Sequence, residues 1–254
     1  MSARLPWVLR VLGGLPLGLA RAFGVGLGWL VWLASPRYRR MTRANLETAG
    51  LERSLLPDVI AETGRMVAEL PFVWASPSRR LLDRIDGDEA RARLARWRAE
   101  NRIAGGVIFM TPHLGGFEAS SRFLASIAPI TVMFKPPKLA WLARWLVAAR
   151  AHDAGVRAVP ASLSGVRSMA RALRAGEAVG VLPDQVPTAG DGDGCHSSAR
   201  MRTMSLPMRL HQMTGAPLVI VLCQRQAGRP AWRIELEIFD GEPTPKRSMP
   251  PSRP

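Results

Sequence analysis

Cysteine is nearly missing from this sequence. Its 254 residues include only Cys195 and Cys223, so no disulfide framework is available, and a reducing compartment fits. Histidine is also scarce, at four residues, and no zinc-type Cys/His spacing occurs, so no metal site is expected. Acidic residues are short: 20 Asp and Glu against 35 Lys and Arg give a formal net charge of +15. That imbalance calls for an acidic partner, such as a nucleic acid, an anionic membrane surface, an acidic protein or a phosphorylated substrate. Nucleic acid is set aside, because the arginines are scattered and no binding motif is present. There is no internal repeat, and the only biased stretch is a Pro-rich tail after Gly241. What is present is apolar: 47% of the chain is hydrophobic, which excludes disorder throughout. The length suits one α/β domain plus a short anchor.

Residues Val11 to Ala34 are apolar except for Arg21. Twenty-four residues at helical rise are long enough to cross a bilayer, since about 20 suffice. Arg21 would cost about 2.5–3.5 kcal/mol at the bilayer centre, less if it snorkels. Trp29 and Trp32 fit an interfacial anchor. A buried core helix and a cleaved signal are the alternatives, but no small-residue cleavage site closes the segment, so a retained anchor is expected over residues 1–36. Arg37, Arg39, Arg40 and Arg43 follow, against Arg4 and Arg10 before the run. That bias predicts a cytoplasmic body with arginines that meet anionic lipid. A solvated basic stretch without topological meaning is the alternative.

The body is expected over 37–245. Residues 41–100 have helical periodicity, and Pro57, Pro71 and Pro77 are expected to divide them into separate helices or turns. Short apolar runs then predict strands at Gly106–Thr111, Ile130–Phe134, Ala178–Leu182 and Leu218–Leu222. Trp232–Phe239 alternates with period two, as an antiparallel edge strand would. Helical stretches at 118–127, 139–151, 164–175 and 205–214 lie between them. The alternation predicts an α/β fold, a mixed sheet flanked by helices.

The strand at 106–111 runs into Thr111-Pro-His-Leu-Gly-Gly-Phe-Glu118. Pro112 ends the strand, two glycines make a turn, and a helical pattern starts near Phe117. His113 therefore sits at a strand tip, where active-site residues of open α/β sheets collect. Within one helix a spacing of five would set the two side chains about 140° apart. With His113 in the loop and Glu118 in the first helical turn, the carboxylate can fold back onto the imidazole and fix its tautomer. His113 can then take a proton from a hydroxyl nucleophile. Backbone N–H groups around Gly115 and Gly116 are candidate oxyanion donors. A loop histidine satisfied by its neighbours is the bland alternative.

With these residues in view, the chain resembles the late acyltransferases of lipid A biosynthesis, the lauroyl and myristoyl acyltransferases. The family motif is His, four residues, Glu, as in His113-Leu-Gly-Gly-Phe-Glu118. The resemblance continues through Phe134-Lys-Pro-Pro137, Gly165-Val-Arg167 and, most specifically, Leu173-Arg-Ala-Gly-Glu-Ala-Val-Gly-Val-Leu-Pro-Asp-Gln185. Thr203-Met, Thr214-Gly-Ala-Pro217 and Arg39-Arg-Met-Thr-Arg-Ala-Asn-Leu46 match as well, so that it covers roughly residues 5–242. It implies a glycerolipid-acyltransferase-like sheet behind an N-terminal membrane-anchor helix. It also implies acyl transfer from acyl carrier protein to a hydroxyl of a lipid A precursor at the cytoplasmic face of the inner membrane. The catalytic pair would be His113 and Glu118, with no cofactor beyond the acyl-carrier donor. By the same resemblance Lys135 and Arg150 hold anionic groups and Asp184 lines or orients the site. Lys135 replaces the usual Arg, keeping charge but losing the bidentate fork. A solvated helix-face charge for Arg150 and a loop cap for Asp184 are the alternatives. Glycerolipid acyltransferases of the same fold usually close the His motif with Asp, which counts against them here.

Two stretches depart from the family. Cys195-His-Ser-Ser-Ala-Arg-Met-Arg-Thr203 stands where the family has Pro-Phe-Phe-Gly leading to a Thr, and 246–254 stands where it has a further helix. Read one nucleotide earlier with permitted codons, the first can become Val-Pro-Phe-Phe-Gly, two variable residues, then Ala-Tyr. The second can become Glu-Ala-Leu-Asn-Ala-Ala-Val-Glu-Ala, a good helix. A local compensated frame shift and an irregular, frame-shifted tail are the resulting expectation, and a truncated or inactive family member is the alternative function.

Overall fold

Apolar sequence enters first. In the computed structural model, which describes residues 7–134, 155–184, 192–196 and 200–239, helices α1 (Trp7–Gly14) and α2 (Leu17–Ala34) come before any strand. Helix α3 (Pro36–Thr48) starts where the Ser35 side chain accepts the N–H of Tyr38 and proline occupies the first turn. Helix α4 (Leu56–Ala75) then runs back antiparallel along α2. The two backbones meet at glycines. A Cβ on Gly24 would lie 2.5 Å from the Gly64 carbonyl oxygen, and one on Gly28 2.5 Å from that of Ile60. Small residues are what allow such an approach. Pro71 does not break α4, contrary to the sequence expectation; it lies inside the helix. Pro57 starts that helix and Pro77 caps the short α5 (Ser78–Leu82), so those two behave as expected.

After β1 (Ile85–Asp86) and α6 (Asp88–Glu100), the chain builds its sheet from β2 (Ile108–Met110), β3 (Ile130–Phe134), β4 (Val156–Pro160), β5 (Ala178–Val181), β8 (Leu218–Arg225) and β9 (Trp232–Ile238). The seven strands lie in the order β1-β9-β8-β2-β5-β3-β4. Every pairing is parallel except β8 with β9. The fold is therefore mixed α/β, as the alternation predicts. Strand β9 is antiparallel but is not the edge, because β1 pairs beyond it. A separate two-stranded ribbon joins β6 (Gly192–His196) to β7 (Arg200–Met204), overlapping the stretch that departs from the family pattern.

Strand β2 is central, and its alternation organises two cores. Val107 and Phe109 pack with Phe123 and Leu124 of α7 (Phe117–Ala125) on one face. Ile108 packs on the other with Met169 and Leu173 of α8 (Leu163–Arg174) and Leu210 of α9 (Leu206–Thr214). Full burial of one such side chain is worth about 1.5–3 kcal/mol. Successive strand residues point to opposite faces, so both layers are fixed by three residues of sequence. The chain leaves β2 through α7 on the first face and leaves β5 towards β8 through α9 on the second. These two parallel neighbours send their chains in opposite directions, which opens a crevice at their carboxyl ends.

Candidate active site

His113 lies just past the carboxyl end of β2, and Asp184 just past that of β5. The strands are paired through Met110 and Val181, and Thr111 N–H donates to the Val181 carbonyl at 3.0 Å. Residues 71 apart in sequence are thereby brought together. The His113 backbone N–H donates to Asp184 Oδ2 at 2.7 Å, and His113 Nδ1 lies 2.8 Å from Asp184 Oδ1. Both side chains remain about one-third exposed, so the pair is open to a substrate. Burial pushes the Asp184 carboxyl up, but the side-chain and backbone hydrogen bonds from His113 outweigh it and hold the group below the ordinary carboxylate range. A carboxylate on Nδ1 selects the tautomer that protonates this nitrogen and leaves Nε2 as the proton acceptor. The Nδ1 contact is therefore with Asp184, from a strand that local sequence does not place beside His113.

The loop between His113 and α7 is held by β8. Gly116 N–H donates to the Cys223 carbonyl at 2.8 Å. The Gly116 N–H, one of the expected oxyanion donors, is therefore already engaged by β8. The glycines are required by two different constraints. Gly115 has φ +59°, and a Cβ on it would stand 2.1 Å from the Cys223 carbonyl oxygen. A Cβ on Gly116 would enter the ring of Trp232. The Phe117 ring lies 4.9 Å from the His113 imidazole and limits its swing. Glu118 is buried in the first turn of α7, where the helix dipole favours a negative charge.

The match to known proteins follows the same span. A model of the bacterial lipid A biosynthesis acyltransferases matches residues 6–237. The chain belongs to that family. Curated proteins, by contrast, offer no match. The span runs from α1 into β9, so the helical entry and nearly all of the sheet lie within the acyltransferase family's own extent. Lys135 and Arg150 fall outside the described residues, as do the helix expected at 139–151 and the tail at 246–254.

Sequence reasoning missed a second polar cluster behind the His113–Phe117 loop. Glu69 of α4 is buried and receives two arginines. Arg21 of α2 donates through Nε to Glu69 Oε1 at 2.6 Å, and to the carbonyls of Gln226 at 2.6 Å and Ala231 at 2.9 Å. Arg225 of β8 donates to both Glu69 oxygens, at 2.7 and 2.9 Å, and pairs with Glu62. Burial lowers the tendency of Arg225 to hold its proton, but Glu69 and Glu62 more than restore it. The same guanidinium reaches the Gly115 carbonyl at 3.4 Å. Arg21 is thus a structural cation, not the snorkelling charge that the sequence suggests. Two isolated charges inside apolar stretches, Arg21 and Glu69, were the available signal. The apolar concavity lined by Ile130, Gly155 and Val156 lies at the opposite, amino end of β3 and β4 and takes no part in the site.

Proposed function

We propose that this lipid A acyltransferase moves a fatty acyl chain from acyl carrier protein to a hydroxyl of a lipid A precursor, with His113 as general base and Glu118 as its catalytic partner. The observation that carries the reading is the 2.8 Å bond between His113 Nδ1 and Asp184, at the carboxyl ends of β2 and β5. It supports an imidazole that keeps Nδ1 on Asp184 and turns Nε2 to take the acceptor hydroxyl proton. The alkoxide oxygen then bonds to the thioester carbonyl carbon, and the developing oxyanion meets the Gly115 N–H. Collapse breaks the C–S bond, and the imidazolium returns its proton to the departing carrier thiolate. Asp184 orients the ring. The buried Glu118 carboxylate stabilises the imidazolium while it exists. General-base assistance of this kind is worth about 10²–10⁴ in rate. Lys135 and Arg150 bind phosphate or carrier anions, and the step uses no metal or cofactor. The net charge of +15 suits an acidic carrier, a phosphorylated acceptor and anionic lipids. The body works at the cytoplasmic face of the inner membrane.

The polar stretch Cys195–Thr203 favours a second reading, an inactive family member whose site is incomplete. One assay separates the two: acyl transfer from acyl carrier protein to a lipid A precursor by membranes containing the chain, with His113→Ala as control. Product from the parent alone supports catalysis. No product from either, with activity in a version carrying the alternate-frame segments, supports the inactive reading.

A further inference from the structure

Helix α2 is apolar on two sides, and only one of them is covered. Its inner side is set by Leu17, Ala20, Gly24, Gly28 and Trp32, all buried. Its outer side exposes Leu19, Phe23, Leu30 and Leu33 at 62–69%. These positions recur at helical spacing along the whole 18-residue helix, with no charge among them. Val11 and Leu12 of α1 extend the exposed surface.

We propose that this outer face lies in the plane of one anionic leaflet, so that α2 beds into the membrane surface and does not cross it. The inference rests on the reading above only in taking a lipid as the partner. Three observations carry it. First, α2 cannot leave the body. Arg21 is tied to Glu69 and to two carbonyls of the β8–β9 turn, and the glycine contacts with α4 extend from Gly13 to Gly28. Second, α4 would have to cross with it. That helix carries Glu62, Arg65 and Glu69, and Glu62 and Arg65 are partly open to solvent. Charges of this kind are excluded from the hydrocarbon interior. Third, the carboxyl end of α2 is ringed by cations. Arg39 donates to the carbonyls of Trp32 and Leu33, Arg43 stacks 5.3 Å from the Trp32 ring, and Arg37 and Arg40 are exposed nearby. An apolar helix face beside arginines suits an anionic lipid surface. A second copy of this chain would bring the same arginine cluster to the contact, where like charges repel.

The test is a depth profile on the full chain in phosphatidylglycerol-containing vesicles. Single cysteines are placed at Leu19, Gly26 and Leu33 in a Cys195→Ser background, each carrying an environment-sensitive fluorophore, and quenched by lipids labelled at known depths. An in-plane helix gives one similar shallow depth for all three, about 5–10 Å below the headgroups. A deep Gly26 between two shallow ends, near the middle of a ~30 Å hydrocarbon layer, overturns the proposal. Absence of lipid quenching at all three also overturns it, and means that protein covers this face. A second variant guards against misfolding: Arg37, Arg40 and Arg43 changed together to Gln leaves the apolar face intact. Its binding to anionic vesicles should fall at least tenfold, with little change on phosphatidylcholine; equal binding on both overturns the proposal. No readout requires turnover, so failure of the acyltransferase reading leaves this test intact.

Discussion

Two carboxylate clusters stand on either side of the His113–Phe117 loop, and they are built on opposite terms. Glu69 is buried and shares its oxygens between Arg21 and Arg225, from two different elements. Asp184 is one-third exposed and, among the described residues, bonds to His113. In the first cluster a buried carboxylate is enclosed by two guanidinium groups that also bind backbone carbonyls, so it serves as a frame. In the second cluster one member can gain and lose a proton, and solvent exposure leaves room for a substrate. Arg225 connects the two regions, with Glu69 on one side and the Gly115 carbonyl on the other. The contrast shows how an open histidine–carboxylate pair can be placed accurately: the loop is fixed from behind by a buried ion-pair cluster. The adjoining Cys223 behaves like the frame. Burial, with Glu69 nearby, pushes its thiol up to about 12, so it is inert at neutral pH.

The largest effect is expected from removing the frame. Glu69→Ala leaves two arginines with buried guanidinium groups facing each other, and breaking a buried pair from one side costs about 3–5 kcal/mol. The variant should melt well below the parent, and α2 should become accessible to protease because Arg21 has lost its main tie. Glu69→Gln keeps the shape and should fall between the two. If Glu69→Ala melts with the parent while acyl transfer falls, the cluster belongs to the chemistry and the contrast breaks.

A smaller effect is expected at the joint. Gly115→Ala places a Cβ against the Cys223 carbonyl at a φ of +59°. Strain of this sort costs about 1–3 kcal/mol. Calorimetry should find a destabilisation below that of Glu69→Ala, together with a loss of activity, since the loop must shift to relieve the contact. Unchanged activity would mean that the loop's position is not what aligns His113.

Much of this architecture was legible because it depends on local patterns. Short apolar runs mark β2, β3, β5 and β8, and alternation marks β9. Strand β4 was not visible: Val156–Pro160 carries Arg157 and ends in proline, which a sheet edge tolerates and a central strand would not. Pro71 misled because tertiary packing against α1 holds α4 together through it. His113 was legible from the strand-end and glycine context. The Asp184 bond was not, because it depends on β5 lying beside β2, a long-range fact that no local pattern contains. The same holds for Arg21, whose partners lie 48, 205 and 210 residues away.

The smallest stability effect, and the sharpest functional one, is expected at Asp184. Its folded carboxyl is held below the ordinary value of about 3.9, so the His113 contact stabilises the fold fully above that value. The contribution is lost as pH falls through the depressed folded value. Because the pair is open to solvent, it is worth under about 1 kcal/mol. Asp184→Asn should therefore melt slightly below the parent at neutral pH, with the gap closing in strong acid. Its acyl transfer should fall much further, by roughly tenfold or more, because an amide can present either its oxygen or its nitrogen to Nδ1 and no longer enforces one tautomer. Glu118→Gln supplies the counter-case. If Glu118→Gln abolishes transfer while Asp184→Asn leaves both rate and pH dependence unchanged, the carboxylate that matters is Glu118, and the Asp184 bond is only a loop tie. If both fall, and only Asp184→Asn shifts the pH profile, Asp184 sets the proton on His113 and Glu118 stabilises the cation that forms.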